Sequence, residues 1–396
     1  MPQRTTLSPA RSTRRTFYDR DVQAVFWQVV VLGLVVGVGY FLVRNTLINL
    51  ETRNIQTGYH FLWRESGFDV SEHMIPYSAA STYAQALLVG LLNTLRVAII
   101  GVVLATVLGI FVGIGTLSQN WLLARITMGY IHLLRNIPVL LQIILWYTIM
   151  INDRFLPNPR QATPILDTFF TQRGVYFPFP EPHVGWLAAA VALAIALLLV
   201  WLLGRWATAR QLRTGQRLPT FWPSLVFIIG LPAAAWFVYG APTEMSVPEL
   251  RGFNISGGGH VSPEFVSVLF GLTIYTSAFI GEIVRAGILS VSKGQIEAAR
   301  ALGLKEGMIL RNVTLPQALR VIIPPLTSQY LNLTKNSSLS VAVGYPDLVS
   351  VAGTTMNQTG QAIEGVSIIM LVYLTLSLTT AALMNWYNKR RQLVER

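Results

Sequence analysis

Residues 184–204 form a stretch with no charged side chain, bounded by Pro182 and His183 on one side and Arg205 on the other. At about 1.5 Å per residue in a helix, such a stretch matches the roughly 30 Å hydrocarbon core of a bilayer. Inside lipid every backbone N–H and C=O has to be satisfied within the protein, so a run of this kind folds as a helix. Comparable runs recur at 25–43, 87–115, 126–151, 221–240, 265–288, 321–343 and 366–384. The expected fold is therefore an all-α integral membrane protein with about eight transmembrane helices. Pro219, Pro223 and Pro232 weaken the fifth run, leaving open that runs four and five form one re-entrant element.

Composition agrees, with 52% hydrophobic and only 12% charged residues. The net charge of +12 does not point to nucleic acid, because the basic residues sit in short clusters between apolar runs. Without a cysteine there is no thiolate metal site or disulfide framework, and the five histidines lack metal-binding spacing. A phosphate-cradling G-x-x-x-x-G-K-[ST] loop is also missing from the sequence.

Charge orders the loops. Arg4, Arg11, Arg14, Arg15 and Arg20 in the tail 1–25 belong with loops 116–125, 205–217 and 292–316 and with Lys389, Arg390, Arg391 and Arg396. The positive-inside rule places this set, with both termini, in the cytoplasm. The first run follows a basic front but has no cleavage site after it, so it reads as an uncleaved anchor. Residues 44–84 read as an extramembrane loop, as do 152–183, the Gly-rich segment after run five, and 345–364. Gly101, Gly109, Gly113 and Gly115 in the second run suit close helix packing.

The most polar segment of the second half is 292–316. Ser292 and Gln295 have the spacing of a capping box, so a helix is expected from Lys293. Gly303 falls where a left-handed residue would end it, and Pro316 is expected to stop the second short helix. Ala298 and Ala299 leave one side low for a close partner, with Glu297 and Arg300 outward.

The spacing Glu297-Ala298-Ala299, three residues, Gly303, nine residues, Val313-Thr314-Leu315-Pro316 resembles the signature loop of ABC-importer permeases; Val313 replaces the usual isoleucine. In that family the loop forms a cytoplasmic coupling helix seated in a cleft of an ATPase subunit. The resemblance assigns ATPase coupling to Glu297, Ala298, Ala299, Arg300, Gly303, Leu315 and Pro316. It also implies a type I core of five helices, here runs two, three, six, seven and eight, plus three additional spans. On that basis 26–85 holds an extra span and periplasmic loop, and 86–390 is the permease domain. An inserted helical hairpin occupies 184–241, and the basic C-terminus is 387–396. Arg135, Pro138 and Gln142 resemble the R-x-x-P-x-x-x-Q pattern of amino-acid permeases, although an interfacial arginine beside a kink explains them equally well.

Run seven is too polar to face lipid. Gln329, Asn332 and Asn336 recur along one helix face, and Lys335 is a costly intramembrane charge. Lys335-Asn336-Ser337-Ser338-Leu339 resembles a K-[DN]-[ST]-S-L element of the same permeases. These groups either line a substrate pathway, together with Gln142, or bond the halves of a dimer together.

The resemblance implies a bacterial inner-membrane subunit of a general L-amino-acid importer working by alternating access. The chain itself would bind no cofactor, and ATP would be used by a dimer of ATPase subunits. Other implied partners are a second permease subunit in a heterodimeric pore, a periplasmic amino-acid-binding protein and the lipid bilayer. A stand-alone secondary transporter or channel is the alternative. An intramembrane enzyme lacks matched catalytic pairs in the spans.

Overall fold

The computed structural model describes residues 20–52, 58–216 and 218–391. The N-terminal tail up to residue 19, Arg217 and Arg396, all part of the charge argument, lie outside the described residues. Twelve α-helices are described: α1 Arg20–Thr52, α2 Tyr83–Gly115, α3 Trp121–Asn136, α4 Val139–Ile151, α5 Val184–Thr214, α6 Phe221–Val238, α7 Pro263–Leu289, α8 Lys293–Ala301, α9 Glu306–Ile309, α10 Leu315–Asn336, α11 Leu348–Thr359 and α12 Ala362–Arg391.

Six of them (α1, α2, α5, α6, α7 and α12) are long and apolar enough to cross a bilayer. The third run is not one straight helix, because α3 and α4 meet at Pro138 with a bend of 104°. Counted as one span, the pair brings the number to seven. The seventh run lies in α10, a helix whose polar face keeps it out of that apolar set. It begins at Leu315, ahead of the expected 321, and tightens into a 3-10 segment, Ser337–Val343.

The centre is α2 against α7, with α4 and α10 on α7 and α12 on α10. Glycines permit this approach. A Cβ on Gly109 would lie 2.6 Å from Ile280 Cβ, and one on Gly113 2.7 Å from the Gly281 carbonyl oxygen. Val97, Ala105, Leu272, Ile280 and Leu333 fill the core between them. By contrast α1 and α6 have no buried stretch in the chain, and α5 almost none.

The expected loops contain ordered structure. A genuine capping box stands at Thr82, where Gln85 N–H donates to Thr82 Oγ1 (3.3 Å) and Thr82 N–H to Gln85 Oε1 (3.1 Å). The segments on either side of α5–α6 form short strands: β1 Phe169–Thr171, β2 Gly174–Phe177, β3 Phe179–Pro180, β4 Met245–Ser246, β5 Glu249–Arg251, β6 Asn254–Ser256 and β7 Gly259–Val261. The antiparallel order β1-β2-β7 ties the chain before α5 to the chain after α6. The all-helical expectation therefore holds for the spans and not for these connections. Asp347 caps α11 through Ser350 N–H (2.9 Å), so the expected loop 345–364 is largely helix.

Candidate functional site

The segment 292–316 leaves the base of α7 and returns into α10. Val291, buried, and Ile296, half-buried, fasten it to the core cluster that holds Ala318 and Ile322. Helix α8 starts at Lys293 as expected, but the Ser292 hydroxyl makes no capping bond. The Gln295 N–H instead reaches the Ser292 backbone carbonyl (3.2 Å), so the tight first turn already satisfies it. The other end follows the prediction. Gly303 has φ +75°, with its N–H on the Arg300 carbonyl (2.9 Å) and Leu304 N–H on the Ala299 carbonyl (3.2 Å). This crossed pair is a Schellman closure of the helix.

Ala299 is buried, while Glu297, Ala298 and Arg300 are exposed. Beside them Leu302 is 81% exposed, an apolar side chain left facing outward. Arg300 grips Glu306 across the turn, Nε to Oε1 at 2.7 Å and Nη2 to Oε2 at 3.3 Å. That bond holds the Glu306 carboxyl below its usual range and raises Arg300. Glu306 was missed in the sequence, though a Glu six residues after Arg300 across a glycine turn is a readable signal.

Pro316 does not end the second short helix. Helix α9 runs through a π turn, Leu310–Thr314, directly into α10, with Pro316 in the first turn of α10. A proline there lacks an N–H that the register shift has already displaced. Leu315 is exposed and Pro316 half-buried. From α9 onward the polar loop and the polar helix face are thus parts of one continuous rod, with α8 joined to it through the Gly303 turn.

Along α10, Asn332 and Lys335 are exposed, and Gln329, Asn336 and Ser338 are half-buried. No ion pair to Lys335 occurs among the described residues. Ser337 turns inward, its hydroxyl donating to the Thr334 carbonyl (2.7 Å), and Ser338 donates to Lys335 O (2.8 Å). Gln142 is 3% exposed at the α3–α4 bend.

One network had no sequence signal. Asn93 Nδ2 donates to the carbonyls of Glu72 (2.8 Å) and Pro346 (2.9 Å), and Leu348 N–H donates to Thr94 Oγ1 (3.1 Å). Glu72 also pairs with Arg96 at 3.0 Å and accepts from Ser262 N–H at 2.9 Å. It locks the segment before α2 onto the starts of α7 and α11.

Comparison with known proteins decides what kind of molecule carries this arrangement. Residues 205–393 match the family described as the binding-protein-dependent transport system inner membrane component. The chain is 46% identical over 386 residues to the general L-amino acid transport system permease protein AapQ of Rhizobium johnstonii, covering 97% of this chain and 96% of that protein. The chain belongs to this permease family. It is also 42% identical over 410 residues to the glutamate/glutamine/aspartate/asparagine transport system permease protein BztB of Rhodobacter capsulatus, covering 96% of each. The permease is thus a multi-pass inner-membrane component of an ABC importer of the type I permease class.

Proposed function

We propose that this permease forms one half of the pore of an importer for L-amino acids and that segment 292–316 couples it to an ATPase. The observation that carries the reading is the continuous path α9–α10. A push on the exposed surface of Glu297, Ala298, Arg300 and Leu302 crosses the Gly303 turn, which the Arg300–Glu306 pair bridges, and from α9 onward runs along unbroken helix to Lys335 and Asn336. Ala299 and the Gly303 closure hold the helix that receives the push; Leu315 and Pro316 begin the rod that carries it inward.

Alternating access follows from rocking that rod against α2 and α7. ATP is bound and hydrolysed on separate ATPase subunits, and this chain uses no cofactor of its own. A second, related permease completes a heterodimeric pore, and a periplasmic binding protein delivers the substrate. The relatives' names support amino acids as the class carried. Both termini lie in the cytoplasm by charge distribution. A periplasm-dependent reporter fused after Lys389 should be silent.

The deciding experiment reconstitutes permease, ATPase and binding protein and compares hydrolysis with and without loaded binding protein. Glu297→Lys reverses the charge presented by α8 with little change in helix propensity. It should insert normally and lose most of the substrate-stimulated hydrolysis. Full stimulation with normal ATPase capture would remove the loop from the coupling path.

A further inference from the structure

The inner end of the α5–α6 pair carries positive charge that nothing in its own stretch balances. From Val184 to Thr243 the sequence has no Asp, Glu or Lys, and its charges are Arg205, Arg210, Arg213 and Arg217. Elsewhere arginines find acids, as in Arg285–Glu282 and Arg300–Glu306. Arg205, Arg210 and Arg213 are exposed and make no ion pair among the described residues.

Helix length sets their depth. At 31 residues α5 is about 46 Å long, whereas the hydrocarbon core is about 30 Å thick. The charge-free part, 184–204, fills that core, so the turns from Arg205 onward stand at headgroup level. Aromatic rings mark the same boundary. Arg205 Cζ lies 4.9 Å from the Trp201 ring centre and Arg210 Cζ 5.5 Å from that of Trp206. Each pair has i, i+4 spacing, so each guanidinium stacks on an indole one turn before it, and the two pairs present their charges on two sides of the helix. Phe221 and Trp222, each 67% exposed, open α6 at the other side of the short connection. Since α6 has no buried residue and α5 only three, this end lies open on the outside of the described chain, where lipid headgroups can reach it.

We propose that the inner end of α5–α6 binds anionic phospholipids of the phosphatidylglycerol type, their phosphates held by Arg205, Arg210 and Arg213. Guanidinium groups bond phosphate oxygens in pairs, and indole rings settle beside the glycerol backbone. Supplying the missing negative charge this way anchors a helix pair that is tied to the rest of the chain through its β-strands. The site is independent of the coupling segment and of the substrate carried.

The test purifies the full-length permease in detergent with equal phosphatidylglycerol and phosphatidylcholine and counts retained lipid by native mass spectrometry. Each basic residue near an anionic surface is worth about a fivefold change in partition at low salt. Phosphatidylglycerol should therefore be retained over phosphatidylcholine by at least that factor. The combined Arg205→Gln, Arg210→Gln and Arg213→Gln variant should bring the ratio close to one, and the three lysine replacements should keep most of it. Equal retention of both lipids by the wild type, or an unchanged ratio in the glutamine variant, overturns the proposal. An unchanged ratio accompanied by lost ATPase capture would assign the arginines to an acidic protein surface instead. If the glutamine variant does not purify, raising the wild-type sample from 50 to 500 mM salt decides the matter. The ratio must then fall severalfold as the charges are screened, and a salt-independent ratio sinks the idea.

Discussion

The side-chain amide of Gln142 donates to the backbone carbonyl of Leu134 at 3.0 Å, the carbonyl that a residue with an N–H at position 138 would have satisfied. Pro138 cannot donate, and the chain turns by 104° there. The same Nε2 also reaches the carbonyl of Ile137 at 3.0 Å. Gln142, itself buried, is therefore the clasp of the bend.

Gln142→Leu should destabilise the purified permease by about 1–3 kcal/mol, since two partly buried carbonyls lose their donor. Gln142→Glu, of the same size, replaces the donor with an acceptor and should be at least as harmful. Thermal unfolding of the full chain in detergent checks both. A variant with wild-type stability and altered substrate selectivity would instead move Gln142 from the bend to the pathway.

Gly109→Leu should disrupt the α2–α7 contact, because even a Cβ would sit 2.6 Å from Ile280 Cβ. Overpacking of this kind costs about 1–3 kcal/mol or more. Gly129 has no heavy atom within 4 Å of an added Cβ, and Gly129→Ala is the matched control. Detergent-solubilised yield and melting temperature should fall for the first and stay level for the second.

The sequence made the spans legible because charge-free length and basic flanks are local properties. It made Gly303 legible because a helix closure needs a left-handed residue at one position. The size of the bend at Pro138 was not legible, since it depends on α4 finding α7 and the 3-10 turn after α10. Pairing of β2 with β7 was hidden because two long helices intervene between the partners. Pro316 misled for a different reason: a proline stops a helix only where its missing N–H is needed. At the mouth of α10 the π turn removes that need.

Gly303→Ala isolates backbone strain from crowding, because φ is +75° and an added Cβ meets nothing within 4 Å. The cost is about 1–2 kcal/mol, spent on opening the end of α8. Gly303→Asn, which tolerates the left-handed region better, should fall between alanine and wild type. Substrate-stimulated hydrolysis in the reconstituted assembly should follow the order Gly, Asn, Ala while membrane insertion stays constant. Equal stimulation in all three would mean that the closure of α8 is irrelevant to coupling.

Lys335 and Asn336 test what the polar face of α10 is for. Lys335 is exposed and has no ion pair among the described residues, so its charge is open to substrate or to a second subunit. A lysine at the centre of a span costs about 2.5–3.5 kcal/mol to insert, so Lys335→Leu should insert at least as well as wild type. If the face lines the pathway, Lys335→Leu and Asn336→Leu should reduce uptake at least tenfold while the second permease subunit and the ATPase still co-purify. Lys335→Arg, which keeps the charge, should retain part of the uptake. If the face joins two subunits instead, the same leucine variants should lose the co-purified subunit first, and uptake would fall only in proportion to the assembly that remains. Measuring uptake per assembled complex separates the two outcomes, because a pathway defect lowers that ratio and an assembly defect leaves it unchanged.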